Sequence, residues 1–515
     1  MLHEVALRQA TIKPDAVAIE FGTASISYGA LAREVGRAAA ALRASGLKPG
    51  ARVIWVGKNH PACVEMLLAA STTGLVLTPV NWRLTKSEMA AIIGDTLPGM
   101  CFAGEGFVEI VRDIANPSVR VIAIGDGSPE CDYERWKGDA VSPDKEAPAE
   151  NPDSVVVQLY TSGTTGRPKG AMLTHRGLIE PKLGWLDQDW YHWRDDDAGL
   201  IAVPLFHIGG ILWLLMAMLA GARSVLLPEF NEHEVFHAIE KRRATKTFLV
   251  PAALRALAHH PDAPGVDFSS LRMVLYGASP MPLQLLLECA AAFRCDFAQV
   301  YGMTETSGVI AVLDPDVHRA MDKETLVATG KPLPGVEIKL RDSQGRDVPV
   351  GEVGEVVVRS VATMAGYWAM PEATREATDD DGWFRTGDAG YFNKEGYLFV
   401  CDRVKDMIIS GGENIYPAEV ESVLTGHPAF SEVAVVGVAD DRWGEVPMAF
   451  VVARTGERPT AEEIVLWARS RLASYKIPRR ITYLDALPRN AAGKILRKDL
   501  KEHARCRGPV ACSPL

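Results

Sequence analysis

The chain has 515 residues, 47% hydrophobic and 23% charged, with a formal net charge of −10 at pH 7. This is an ordinary globular composition, long enough for two or more folding units. The acidic balance argues against nucleic acid as a partner, because phosphate backbones are bound by net basic faces, so any anionic ligand has to be met by local cations.

From the N-terminus, the first fifteen residues carry an early acidic group and no apolar core, which is not a signal peptide and points to a cytoplasmic protein. Residues 17–28 alternate and turn like a hairpin. Residues 29–45 then bring Leu31, Val35, Ala38 and Leu42 to one helical face, closed by Gly46. A strand at 52–56, a helix at 61–71 and a strand at 75–80 make a βαβ unit, hence a parallel sheet covered on both faces.

The same alternation returns over residues 199–293. Its apolar stretch at 208–222 is fifteen residues long, short of the ~20 that span a bilayer, so it reads as a buried helix and no transmembrane segment is expected. Peripheral membrane contact stays open. Trp185, Trp190, Tyr191 and Trp193 are dense enough to be wall, lid or packing, and no motif decides among them.

Ligands of doubly wound sheets bind beyond the carboxyl ends of strands. Gly277, Ala278 and Ser279, and again Tyr301 and Gly302, fall at such ends. Residues 345–403 change to short β runs between Gly, Pro and Asp, a small antiparallel, barrel-like piece. Strands at 432–438, 449–453 and 481–484 with a helix at 461–473 form a compact α+β unit. The expected fold is therefore α/β, with a large N-terminal domain (1–402) of doubly wound βαβ sheets plus the barrel-like piece, and a small α+β domain (403–515). The eight cysteines show no C-x-x-C spacing, so neither a zinc site nor a redox pair is expected.

Residues 159–170 read LYTSGTTGRPKG behind the apolar run Val155, Val156, Val157. Glycines Gly163 and Gly166 admit close backbone approach, the hydroxyls of Thr161, Ser162, Thr164 and Thr165 add donors, and Lys169 supplies a cation, which together suit a polyphosphate. The spacing is not G-x-x-x-x-G-K-[ST], since Pro168 stands five after Gly163 and Gly170 follows the lysine. A nucleoside triphosphate is the expected ligand, held differently from a P-loop.

With this string, with Tyr301 to Glu305 (YGMTE), Thr386-Gly387-Asp388, the run 402–421 and the stretch 488–498 around Lys494 in that order, the chain resembles the adenylate-forming superfamily over nearly its whole length. That superfamily includes acyl- and aryl-CoA synthetases, firefly luciferase and peptide-synthetase adenylation domains. The resemblance implies ATP, Mg2+ and coenzyme A as cofactors. It implies Thr161, Thr164 and Lys169 as phosphate contacts, Thr304 at the α-phosphate, Glu305 as magnesium ligand, and Tyr301 and Gly277 around adenine. Asp388 and Arg403 would hold the ribose, and Lys494 would be the adenylation lysine. His207 stands where the family places an aromatic or histidine beside the acyl carboxylate. The loop with Gly411 and Gly412 would face the pantetheine channel, and Asp402 would be the hinge of a mobile C-terminal domain.

The implied activity is an acid–thiol ligase forming an acyl-adenylate and then an acyl-CoA. The alternatives are an enzyme loading a carrier protein and a non-catalytic nucleotide-binding relative. The expected partner is a small carboxylic acid, fatty or aryl. An α-ammonium is not expected, because His207-Ile208-Gly209-Gly210 lacks the aspartate that amino-acid-activating relatives carry after the aromatic matching Phe206. Oligomeric state, including a homodimer, is left open.

Overall fold

The computed structural model describes residues 1–125, 132–138, 151–161, 168–411, 413–440, 442–454, 458–489 and 495–506. The chain forms two compact units, Met1–Ser279 with Leu287–Ile338 and Val358–Phe384, and Pro280–Leu286 with Lys339–Val357 and Arg385–Leu515. These dividing points differ from the 402/403 boundary read from sequence. The strand pair Phe384–Phe392 and Leu398–Arg403 is hydrogen-bonded into one ladder and falls almost wholly in the second unit.

Among its described residues, the first unit holds a nine-stranded and a seven-stranded sheet. In the larger one, Asp296–Met303, Met273–Gly277, Lys246–Leu249, Ala198–Ile201, Arg223–Leu226 and Val17–Phe21 run parallel. Antiparallel strands flank this block on both sides. Met273–Gly277 and Ala198–Ile201 are buried along their whole length, as strands covered on two faces are. Strand Ala198–Ile201 lies between the strand that follows it, Arg223–Leu226, and the later Lys246–Leu249. The winding therefore reverses there, and this is the topological switch point.

The seven-stranded sheet is mixed rather than purely parallel as the opening βαβ unit suggests. Val155–Thr161 pairs in parallel with Val76–Val80 but antiparallel with Lys169–Thr174. Two short strands, Met100–Ala103 and Arg120–Ala123, extend its other side. A second correction concerns residues 345–403, which are not all one β piece. Gly366–Tyr367 hydrogen-bonds to Met172 and Ala171 at the edge of the seven-stranded sheet, and Pro371 opens a helix, Pro371–Ala377.

The aromatic run packs the core. Trp185, Tyr191 and Trp213 are buried, Trp185 stacks on Tyr191 at 4.8 Å, and Trp213 Nε1 donates to Leu200 O at 2.9 Å. No helix among the described residues is long and apolar enough to cross a membrane.

In the second unit, Phe430–Asp440 pairs antiparallel with Gly444–Ala453, which pairs in parallel with Arg480–Tyr483. Alternation fixes the faces of this sheet. Val433 and Val435 pack with Val420, Leu424, Ile464 and Ala468, whereas Ala434, Val436 and Phe450 pack with Leu487 and Leu500. Helices thus cover both sides.

Candidate active site

The loop after the switch-point strand Ala198–Ile201 carries Phe206 and His207, so the fold itself brings His207 to the place where an open α/β sheet takes its ligand. His207 is half-buried, in edge contact with the Phe206 ring, and stands at the N-cap of the helix Ile208–Leu219. Two strands further along that sheet, Gly277 closes Met273–Gly277. A Cβ there would run into the Val300 carbonyl oxygen, so only glycine lets the neighbouring strand end come this close. Ala278 follows at φ 66°, a left-handed conformation costly for a side chain and typical of strained ligand loops. Ala278 and Ser279 are exposed.

Tyr301 and Gly302 lie in the next strand, where a bulge interrupts pairing with Gly308–Leu313. The chain then makes one tight turn, Thr304–Thr306, ended by Ser307 at φ 49°. Thr304 and Glu305 are half-buried on that turn.

Thr161 and Lys169 end and begin two antiparallel strands as direct partners, so the phosphate string closes a β-hairpin. A P-loop instead joins a strand to a helix. This geometry brings Thr161 and Glu305 together: Thr161 Oγ1 donates to Glu305 Oε1 at 3.2 Å. Tyr367, which the sequence did not single out, donates its hydroxyl to the same oxygen at 3.1 Å. Its ring also faces Lys169 Nζ at 4.9 Å. Met364 N donates to Glu305 O at 2.8 Å, fixing the backbone beneath the carboxylate. A half-buried carboxylate whose side-chain partners are neutral hydroxyls offers a hard oxygen, the donor type magnesium prefers. Ser162, Gly163, Thr164, Thr165 and Gly166 lie outside the described residues.

In the second unit, Asp388 and Arg403 are direct partners across the ladder, and Arg403 Nε meets Asp388 Oδ1 at 2.9 Å. Arg403 Nη1 also donates to Thr386 O at 2.9 Å, and Thr386 Oγ1 accepts from Asp388 N at 3.0 Å. Asp388 is thus clamped on both sides and 6% exposed. Asp402 accepts from Ala418 N at 2.8 Å, capping the first turn of helix Pro417–Thr425. Burial pushes its carboxyl up against the opposing pull of Arg497. Arg497 pairs with the half-buried Glu421 at 2.6 Å.

Gly411 takes φ 60° and its bare face is covered by the Trp443 ring, so packing by itself accounts for a glycine there. Gly412 and Lys494 lie outside the described residues.

The AMP-binding enzyme family model matches residues 7–368, and the model of the AMP-binding enzyme C-terminal domain matches residues 419–494. The chain belongs to the AMP-binding enzymes. Asp388, Asp402 and Arg403 fall in the stretch between the two matched segments of this AMP-binding enzyme. The chain is 41% identical to the fatty acid–[acyl-carrier-protein] ligase ScoC of Streptomyces coeruleorubidus, over 93% of this chain and 91% of that one. It is 39% identical to a feruloyl-CoA synthase of an Amycolatopsis species, over 96% and 97%. Among solved structures, the Bacillus subtilis O-succinylbenzoate coenzyme A synthetase in complex with ATP and magnesium matches with a TM-score of 0.85 and 32% identity, over 96% of this chain and 99% of that one.

Proposed function

We propose that this AMP-binding enzyme is an acid–thiol ligase whose substrate is a carboxylic acid with an apolar, aryl or fatty, body and no α-ammonium. The enzyme joins the acid to AMP from ATP, with release of pyrophosphate, and then passes the acyl group to the thiol of coenzyme A, with release of AMP. The observation that carries this reading is the cluster of Thr161, Lys169, Tyr367 and Glu305, which sets donors, a cation and a charged hard oxygen around one hairpin. Magnesium, held by Glu305, would neutralise the phosphates, which otherwise repel the incoming carboxylate.

The chain's own residues divide the remaining work. Thr161, Lys169 and the hydroxyls of Ser162, Thr164 and Thr165 hold the phosphates, Thr304 donates at the α-phosphate, and Tyr301 and Gly277 flank adenine. Asp388 accepts from the ribose hydroxyls while Arg403 holds its carboxylate in place. Lys494 offsets the charge that builds up as the acid attacks. His207 lies beside the acid's carboxylate at the switch point. The domains are residues 1–402 and 403–515, with Asp402 as pivot between an adenylating and a thiol-transferring arrangement.

The apolar face of helix Ile208–Leu219 is buried, and the segment His207 to Gly210 carries no carboxylate, so an α-ammonium would be desolvated without a partner at a cost of several kcal/mol. Pyrophosphate release across hexanoate, a long-chain fatty acid, ferulate, indole-3-acetate and matching α-amino acids tests this. An apolar acid is expected to lead in kcat/KM. An α-amino acid ahead by about tenfold, roughly 1.4 kcal/mol in transition-state binding, overturns it.

A second reading has a specific observation behind it, the 41% identity to a ligase that loads a carrier protein. In that reading the same adenylate is delivered to a protein-borne pantetheine. Acyl transfer to coenzyme A alone, compared with transfer to a holo carrier protein, separates the two.

A further inference from the structure

Helix His175–Leu186 carries Pro181 in its interior. Proline has no N–H with which to close the turn onto the carbonyl four residues back, that of Gly177, and its ring crowds that oxygen. The next residue supplies the missing donor. Lys182 Nζ donates to Gly177 O at 3.2 Å and to Ser307 O at 2.9 Å. Lys182 is 1% exposed, and burial pushes its amine down to about 7. Burying an amine is costly, and a methionine would fill the same space without that cost. Packing alone therefore does not account for this lysine.

Ser307 is where the second donor matters. It ends the Thr304–Thr306 turn in the left-handed region, and its N–H donates back to Thr304 O at 3.0 Å. Thr306 Oγ1 donates to Gly308 O at 2.7 Å and accepts from Met303 N at 3.1 Å, tying the other side of the turn. The helix's first turn presses directly on it, since a Cβ on Gly177 would lie 3.0 Å from Ser307 Oγ.

We propose that Lys182 is a positioning residue for adenylation: by bridging the Gly177 carbonyl that Pro181 leaves free to the Ser307 carbonyl, it holds the Thr304–Ser307 turn so that Glu305 is aimed at magnesium. The proposal rests on the reading of Glu305 as the magnesium ligand. Lys182 acts through Ser307, so its effect belongs to the metal-dependent part of nucleotide affinity.

The test uses the full-length enzyme with Lys182→Met and with the double change Pro181→Ala plus Lys182→Met. The N–H restored by Pro181→Ala serves Gly177 O but leaves Ser307 O without its donor. Calorimetric titration with ATP, with magnesium and with chelator, is done without acid so that no reaction runs. The double variant is expected to recover the melting temperature of the wild type yet bind Mg·ATP about tenfold more weakly, the scale of a lost outer contact to a metal ligand. Its affinity for metal-free ATP should stay unchanged. Equal weakening with and without magnesium, unchanged affinity in both, or a double variant that does not fold would each overturn the proposal and leave Lys182 a structural residue. Failure of the wild type to exchange pyrophosphate with any acid of the panel would instead overturn the adenylation reading itself.

Discussion

Glu305 in the first unit and Asp388 in the second are both carboxylates proposed as nucleotide-site residues, yet their partners differ in kind. Glu305 is held by two neutral hydroxyls, from Thr161 and Tyr367. Asp388 is held by the Arg403 guanidinium. A carboxylate whose partners are neutral hydroxyls has no cation of its own beside it and can offer its oxygens to one. One paired with arginine is neutralised, so what it has left to offer is direction, a fixed acceptor for neutral hydroxyls. In the proposed reading the same side-chain chemistry would serve metal binding in one place and sugar recognition in the other.

The strongest way to break this contrast is to remove the charge and keep the shape. Glu305→Gln should lower acyl-adenylate formation, measured by pyrophosphate exchange, by on the order of two decades or more. Thioester formation from supplied acyl-adenylate should persist. Lys494→Ala should show the same split, since it too would act on charge in the first step. Equal loss of both steps in either variant would mean that the site is deformed rather than discharged.

Asp388→Asn should matter less, because its charge is already compensated. The expected change is a rise in KM for ATP of about tenfold with kcat nearly kept, the scale of one charged hydrogen bond. A fall in kcat as deep as that of Glu305→Gln would erase the distinction. Smaller still, Tyr367→Phe removes one of two hydroxyls from Glu305 and should weaken Mg·ATP binding by about threefold to tenfold. An unchanged titration would show that Thr161 suffices.

A last contrast concerns acid, and its effect is on stability rather than rate. In the first unit, His60 Nδ1 accepts from Ala62 N at 3.1 Å and His175 Nδ1 accepts from Leu2 N at 3.2 Å. Burial pushes both imidazoles down to about 4. Below the ordinary value of 6.5 the unfolded chain binds protons that the folded chain refuses, so this stability is whole above pH 6.5 and is lost as pH falls towards about 4. In the second unit, burial raises Asp402 and Glu421, which take up protons earlier when folded and so oppose acid loss. Asparagine also caps helices, so His60→Asn should flatten the fall in melting temperature over that range. Parallel melting curves for variant and wild type would overturn this.

The strand and helix order of the first unit could be read from sequence where apolar runs alternated with helix-length stretches, as over residues 199–293. Met100–Ala103 and Arg120–Ala123 were not read, since each spans only four residues with a short helix, Val108–Ile114, between them. The helix Lys86–Thr96 between the sheet strands was not read from sequence; in the structure it starts with both arms of a capping box, Thr85 with Glu88. Asp388 and Arg403 could be named because each stands in a motif. Tyr367 could not, since it reaches Glu305 only through the pairing of Gly366 and Tyr367 with Met172 and Ala171, nearly two hundred positions away. Lys182 gave no signal either, because its partner carbonyls are created by a proline beside it and a turn in another strand.

The close backbone approaches around the site also set the terms on which the enzyme could be redesigned. At Gly210, Gly277 and Gly302 an added methyl would meet a main-chain carbonyl, of Pro204, Val300 and Gly308 in turn, and backbone cannot step aside cheaply. These three positions are closed to a mutant library. At Gly209 the first atom met is Cε1 of the Phe248 ring, 2.7 Å away, and a side chain can rotate or be trimmed in compensation. Of these four glycines, Gly209 is therefore the one open to a side chain, with Phe248 varied together with it and the three carbonyl-facing glycines left untouched.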